Sequence, residues 1–181
     1  MLSALRSLSH HISENGPYDG VIAFSQGACL AATLMLQHQS QDTDSEFGLG
    51  DSDEPLFKCA IFLSGILPLD PDALAHGQRK QIGKINAAEA QYCDSGSEDS
   101  DSEDQGDWVD AFRIPTAHIW GANDDYPLPQ GDRLYKLCPA HLRVAVTHQE
   151  GHSIPGKRSE AALKKMVRAV RKTIERADML H

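Results

Sequence analysis

The chain has little of what several common protein classes require. No apolar run approaches the ~20 residues that cross a bilayer. The first sixteen residues (MLSALRSLSHHISENG) lack the uninterrupted apolar stretch of a signal peptide. The four cysteines, Cys29, Cys59, Cys93 and Cys138, form no CxxC pair, which argues against a zinc knuckle or a thioredoxin-type site. They are also too sparse for a disulfide framework at this length, so a reducing, cytoplasmic setting is expected. Basic residues are in deficit. Seventeen Lys and Arg stand against 26 Asp and Glu, for a net charge of −9. That balance speaks against a nucleic-acid or anionic-membrane surface. No internal repeat is present.

What the chain does have is enough apolar material for one core. Its 181 residues are 40% hydrophobic, which fits a single domain over 1–181. The acidity is concentrated. Residues 42–54 carry six acids and no base, and residues 94–107 carry seven acids and no base. Half of all the acids therefore fall in two short segments. The second has no apolar residue, so it cannot offset its own ordering entropy. Both are expected to be acidic surface loops. Ser97, Ser100 and Ser102 have acids close behind them, the pattern of a phosphorylation or docking segment, but a solvated loop is the more economical reading.

Between these segments the sequence alternates. Residues 2–13 place Leu2, Leu5, Leu8 and Ile12 on one helical face, and Asn15-Gly16-Pro17 stops that helix. Short apolar runs at 20–24, 59–63, 116–120 and 142–146 read as buried strands. Helices are expected over 26–38, 130–137 and 159–176, the last capped by Ser159, with Leu163, Val167, Val170 and Ile174 as its core stripe. Residues 68–113 read as irregular. Short apolar strands alternating with helices predict an α/β fold, a parallel sheet with helices on both faces. Ligands of such sheets bind at the carboxyl ends of the strands.

Three of those ends carry reactive side chains. The first strand runs into Ala23-Phe24-Ser25-Gln26-Gly27, close to the G-x-S-x-G turn that lifts a serine above a sheet, with alanine in place of the first glycine. The backbone N–H of Gln26, at the start of a helix, would face a developing oxyanion. The third strand ends in Gly121-Ala122-Asn123-Asp124-Asp125, where either acid can orient an imidazole. Beyond the fourth lies Thr147-His148-Gln149-Glu150-Gly151-His152, with two candidate histidines. His148 and His152 are spaced as an i,i+4 metal pair, but Gly151 and Pro155 argue for a loop, and H-x-E-x-H is not a helical zinc pattern. No metal and no cofactor are expected. Serine, acid and histidine, in that chain order and each at a strand's carboxyl end, follow the arrangement of α/β-hydrolases.

Residues 15–28 (NGPYDGVIAFSQGA) closely resemble the nucleophile segment of the fungal FSH serine hydrolases, a family similar to ovarian-cancer-associated hydrolases and to polyketide-pathway thioesterases. Residues 57–68 (FKCAIFLSGILP) resemble the family's next strand and its Ser-Gly turn. Residues 114–124 (IPTAHIWGAND) resemble its acid strand, which selects Asp124. Residues 151–155 (GHSIP) resemble its Gly-His-x-x-Pro segment, which selects His152. The resemblance implies a serine hydrolase acting on small-molecule carboxylic esters or thioesters through Ser25, Asp124 and His152. Gln26 would be one oxyanion donor, and Leu67, Leu69 and Leu128 would line an acyl pocket. It also implies strands and a second oxyanion donor before the nucleophile segment. On that reading the chain is an N-terminally truncated member with an exposed sheet edge that favours self-association. A non-catalytic binding or interaction protein is the alternative.

Overall fold

The structure is a computed structural model, and it describes residues 1–39, 54–82, 110–124 and 130–180. The acidic segments 42–54 (apart from Glu54) and 94–107, together with Asp125 and Leu128, lie outside the described residues.

Among the described residues, four strands form one parallel sheet in simple sequential order: β1 (Gly20–Phe24), β2 (Cys59–Leu63), β3 (Thr116–Gly121) and β4 (Arg143–His148). The register sets Phe24 beside Leu63, Leu63 beside Ile119, and Gly121 beside His148. All five residues of β2 are buried, as expected of an inner strand with both faces covered. The first two strands coincide with the apolar runs of the sequence, and the fourth begins and ends slightly later than its run.

Helices α1 (Leu2–Asn15) and α2 (Gln26–Gln39) cover one face of the sheet. Leu5 and Ile12 of α1 are buried as the periodicity predicts, and Ser9 joins them. The helix stops where the Gly16 N–H donates to the Ile12 carbonyl at 2.8 Å. A Cβ at Gly16 would lie 2.6 Å from that same oxygen, so only glycine fits this turn. Helix α2 is buried around most of its circumference, from Ala28 through His38. Its Thr33 Oγ1 donates to the Cys29 carbonyl and accepts from the Leu69 N–H at 3.0 Å.

The stretch after β2 is more ordered than the sequence suggests. It contains a short helix, α3 (Pro71–Ala75), whose N-cap Asp70 accepts from the Asp72 and Ala73 N–H groups. Its Leu69 also forms an antiparallel bridge with Gln81. Helix α4 (Gly131–Lys136) follows on the same face as α2, with Leu134 packed against Gly65.

The opposite face is covered by α5 (Glu160–Leu180). A 3-10 turn, Lys157–Ser159, leads straight into it, so Ser159 already belongs to a helical turn. Ile61, Leu63, Ala117 and Ile119 form the core on this side, with Met166 and Val170 packed on them. The helix is rotated relative to the predicted stripe. Thr173 and Ala177 are buried, while Val167 and Ile174 are 37% and 43% exposed. Ile174 borders a groove of about 220 Å³ with Gly20, Ile22 and Cys59, at the amino ends of β1 and β2.

Candidate active site

The sharp passage from β1 into α2 puts Ser25 at φ 53, a left-handed backbone that is uncommon for a residue with a side chain. Strain of this kind persists where surrounding structure enforces it. Here the enforcing bonds are the Ser25 N–H to the Leu63 carbonyl at 2.9 Å, and the Ala28 N–H back to the Ser25 carbonyl at 3.0 Å. Ser25 is partly exposed above the sheet. Gln26 is the first residue of α2, and a helix leaves its first N–H groups without partners inside the helix.

At the end of β3 the chain turns at once. The Asp124 N–H donates to the Gly121 carbonyl at 3.1 Å, and the Ala122 N–H donates to the His148 carbonyl. This turn packs tightly against the loop that follows β4. A Cβ on Gly121 would fall inside the carbonyl oxygens of Glu150 and Gly151, so the absence of a side chain lets the two loops meet.

Across that contact, His152 joins the other two side chains. Its Nε2 lies 2.7 Å from Ser25 Oγ, and its Nδ1 lies 2.9 Å from Asp124 Oδ1. An ionised carboxylate only accepts, so Nδ1 carries the proton and Nε2 is left to accept from the serine hydroxyl. The imidazole is 21% exposed and the carboxylate 9%. The acid is therefore screened from water while the histidine faces the opening. Phe24 packs beside the imidazole, with ring centroids 5.2 Å apart. A partly buried chain of serine, imidazole and carboxylate is what proton removal from a hydroxyl requires.

Three sequence-predicted residues, Ser25, Asp124 and His152, thus come together, and Gln26 stands beside them. His148 does not join them. It is the last residue of β4, buried, and followed by bends rather than helix. Leu67 and Leu69 do not border the groove at the amino ends of β1 and β2. Both are buried in the core on the α2 side of the sheet. The Leu67 N–H donates to Gln130 Oε1 at 2.9 Å, just as Leu69 is tied to Thr33. The groove at the amino ends of β1 and β2 holds none of the three side chains. Phe24 and Gly121 belong to the site as well. Both stand next to the motif residues, but their parts depend on contacts with the distant His152 loop, which no local pattern announces.

The described thiols offer no rival nucleophile. Burial pushes the Cys29 and Cys59 thiols up, and it pushes Cys138 up to about 12. All three are buried and protonated at neutral pH.

Known proteins carry similar sequences. Esterase FPY3 of Fusarium mangiferae is 33% identical over 177 residues, covering 98% of this chain and 66% of that protein. Hydrolase FUB4 of Fusarium oxysporum f. sp. lycopersici is 26% identical, covering 84% of this chain and 66% of its own length. Family of serine hydrolases 3 from Saccharomyces cerevisiae is 26% identical, covering 82% and 42%. The chain thus spans 66% or less of each of these relatives. The family model described as Serine hydrolase (FSH1) matches residues 1–163, which takes in Ser25, Asp124, His152 and every strand. By sequence and by the parallel sheet that carries its serine, the chain belongs to the FSH1 serine hydrolase family.

Proposed function

We propose that the chain carries the catalytic centre of a serine esterase or thioesterase. Ser25 is the nucleophile, His152 the general base and then acid, and Asp124 the group that orients His152. The observation that carries this reading is the continuous hydrogen-bonded path from Ser25 Oγ through His152 to Asp124 Oδ1.

The steps follow the atoms. Ser25 Oγ attacks the acyl carbon of a small-molecule ester or thioester while Nε2 takes the hydroxyl proton. The resulting imidazolium is stabilised by Asp124, and the oxyanion by the Gln26 N–H. The bond to the leaving alcohol or thiol then breaks, and Nε2 returns the proton to it. Water, deprotonated by the same nitrogen, opens the acyl-enzyme and regenerates Ser25. The scheme uses no metal and no organic cofactor. A cytoplasmic setting suits the free thiols Cys29, Cys59 and Cys138. Among the described residues, no helix is long and apolar enough to cross a membrane.

Intact-mass labelling with a fluorophosphonate tests the reading. One adduct in the wild type, absent from Ser25→Ala and His152→Ala, is the expected result. Equal labelling in all three, or none in a folded wild type, overturns it. The uncovered flank of β1, where Ile22 is 69% exposed, favours a second reading as a non-catalytic binding protein. A folded wild type that takes no label supports that alternative.

A further inference from the structure

Exposed apolar side chains gather along one flank of the molecule. On β1, Ile22 is 69% exposed and Phe24 39%. They are two positions apart on a strand, so they share one face of the sheet. Val21 and Ala23 pack on the α2 side, which leaves Ile22 and Phe24 on the side of α5. That helix packs chiefly on β2, β3 and β4, so β1 stands beside it rather than beneath it. The flank of α5 next to β1 is apolar as well. Val167 and Ile174 are both partly exposed there, two turns and about 10 Å apart along the axis.

These side chains make the floor and one wall of a furrow. Its far end is the groove of about 220 Å³ at the amino ends of β1 and β2, where Ile22 and Ile174 meet. The polar groups of that groove, Asp19, Lys58 and Asp178, stand at this end, and Lys58 donates to Asp19 at 2.7 Å. Its near end is Phe24, which packs against the His152 ring and immediately precedes Ser25. From Gly20 to Phe24 is about 13 Å of strand. A hydrocarbon chain, with bonds of about 1.5 Å at about 111°, advances about 1.25 Å per carbon, so about ten carbons span the furrow.

Exposed apolar surface of this extent marks a ligand groove or an interface. A helix, about 10 Å across with its side chains, needs a broader seat than this groove. An added strand would pair with the backbone edge of β1, not lie on its side-chain face. A single hydrocarbon chain fits the width of the furrow, and its near end opens at Ser25.

We propose that the furrow formed by Phe24, Ile22, Val167 and Ile174 holds the acyl chain of a linear ester or thioester of about ten carbons, with its carbonyl carbon at Ser25. The proposal rests on the Ser25–His152–Asp124 reading above.

The test measures kcat/KM for p-nitrophenyl decanoate over that for the acetate, in wild type, Ile22→Ser, Ile174→Ser and Met179→Ser. Met179 is exposed on α5 but does not border the groove. With the chain half covered, each added carbon contributes about 2-fold, so the wild-type ratio should be on the order of 10². Ile22→Ser and Ile174→Ser should each lower it about 5-fold, and Met179→Ser should keep it. A ratio at or below one in wild type overturns the proposal, and is the result expected if a second copy of the chain covers this face. So does a wild-type ratio in both isoleucine variants. Thermal midpoints identify a variant that fails to fold, and the other variant then decides. A second measurement needs no turnover: n-decanol is titrated into wild type carrying ¹³C at the isoleucine δ1 methyls, the signals assigned by their loss in the variants. Saturable shifts of Ile22 and Ile174 support the furrow, and unmoved signals overturn it. If the wild type turns over no ester, the proposed activity fails, and this titration alone decides.

Discussion

His118 links the stability of the fold to acid. It lies wholly inside the packing between β3 and α4, with Nε2 at 3.1 Å from Thr116 Oγ1 and 3.4 Å from Cys138 Sγ. Burial first, and then the charge of Arg143, push its pKa from 6.5 down to about 3. The unfolded chain takes up this proton near pH 6.5, and the folded chain only near 3. Stability from His118 is thus complete above about 6.5 and is lost as pH falls toward 3. The slope is at most about 1.4 kcal/mol per pH unit. Urea midpoints should fall between pH 7 and 4.5, and His118→Phe, which keeps a ring against Phe62 and Tyr135, should flatten that fall. An equally steep fall in the variant would clear His118. A second residue-scale prediction concerns Gly121. A methyl group there collides with the Glu150 and Gly151 carbonyls and displaces the His152 loop. A shift of about 1 Å in a reacting group costs on the order of 10²-fold, so Gly121→Ala should label with fluorophosphonate about that much more slowly. Unchanged labelling would show that the loop yields without moving the imidazole.

Among the elements, α5 separates what a sequence can tell from what only packing decides. Strands β1 and β2 were legible because a buried parallel strand is a short apolar run with turns around it, and GVIAF and CAIFL are such runs. The nucleophile turn was legible because its residues are contiguous. The choice between Asp124 and Asp125, or between His148 and His152, required the family resemblance. Chemistry alone treats each pair alike. Helix α5 was legible as a helix, but not in its exact rotation. Its buried arc is set by β2, β3 and β4 beneath it, which favour Met166, Val170, Thr173 and Ala177. Ile174 falls on the flank beside β1, where it meets the groove next to Ile22. The ties that hold Leu67 and Leu69 were not legible either, because their N–H groups are bound by Gln130 and Thr33, far away in the chain. Packing of this kind makes a contrast in stability. Ile119→Ala, at the fully buried centre of β3, should cost about 2–5 kcal/mol in urea unfolding. Ile174→Gln should stay within about 0.5 kcal/mol of wild type. A large loss in Ile174→Gln would mean that its flank is covered in solution.

At the scale of the molecule, the sheet formed by the described residues has one edge at β1 and another at β4. Ile22 is 69% exposed at the first. An apolar strand with an unpaired edge is a template for association. Sedimentation velocity should show the average mass rising with concentration, and Ile22→Lys should suppress the rise, since a lysine on an edge strand discourages pairing. A monomer at every concentration in wild type would mean that the edge is protected.

The sequential order of the strands also sets a timetable. The serine is in place by residue 25 and the acid by residue 124, but the histidine that links them comes only after β4, at residue 152. No shorter length of nascent chain can hold the three groups together, and no refolding intermediate that lacks the last parallel pairing can do so either. Reactivity at Ser25 therefore reports one event of assembly: during refolding, probe labelling appears only once β4 has docked.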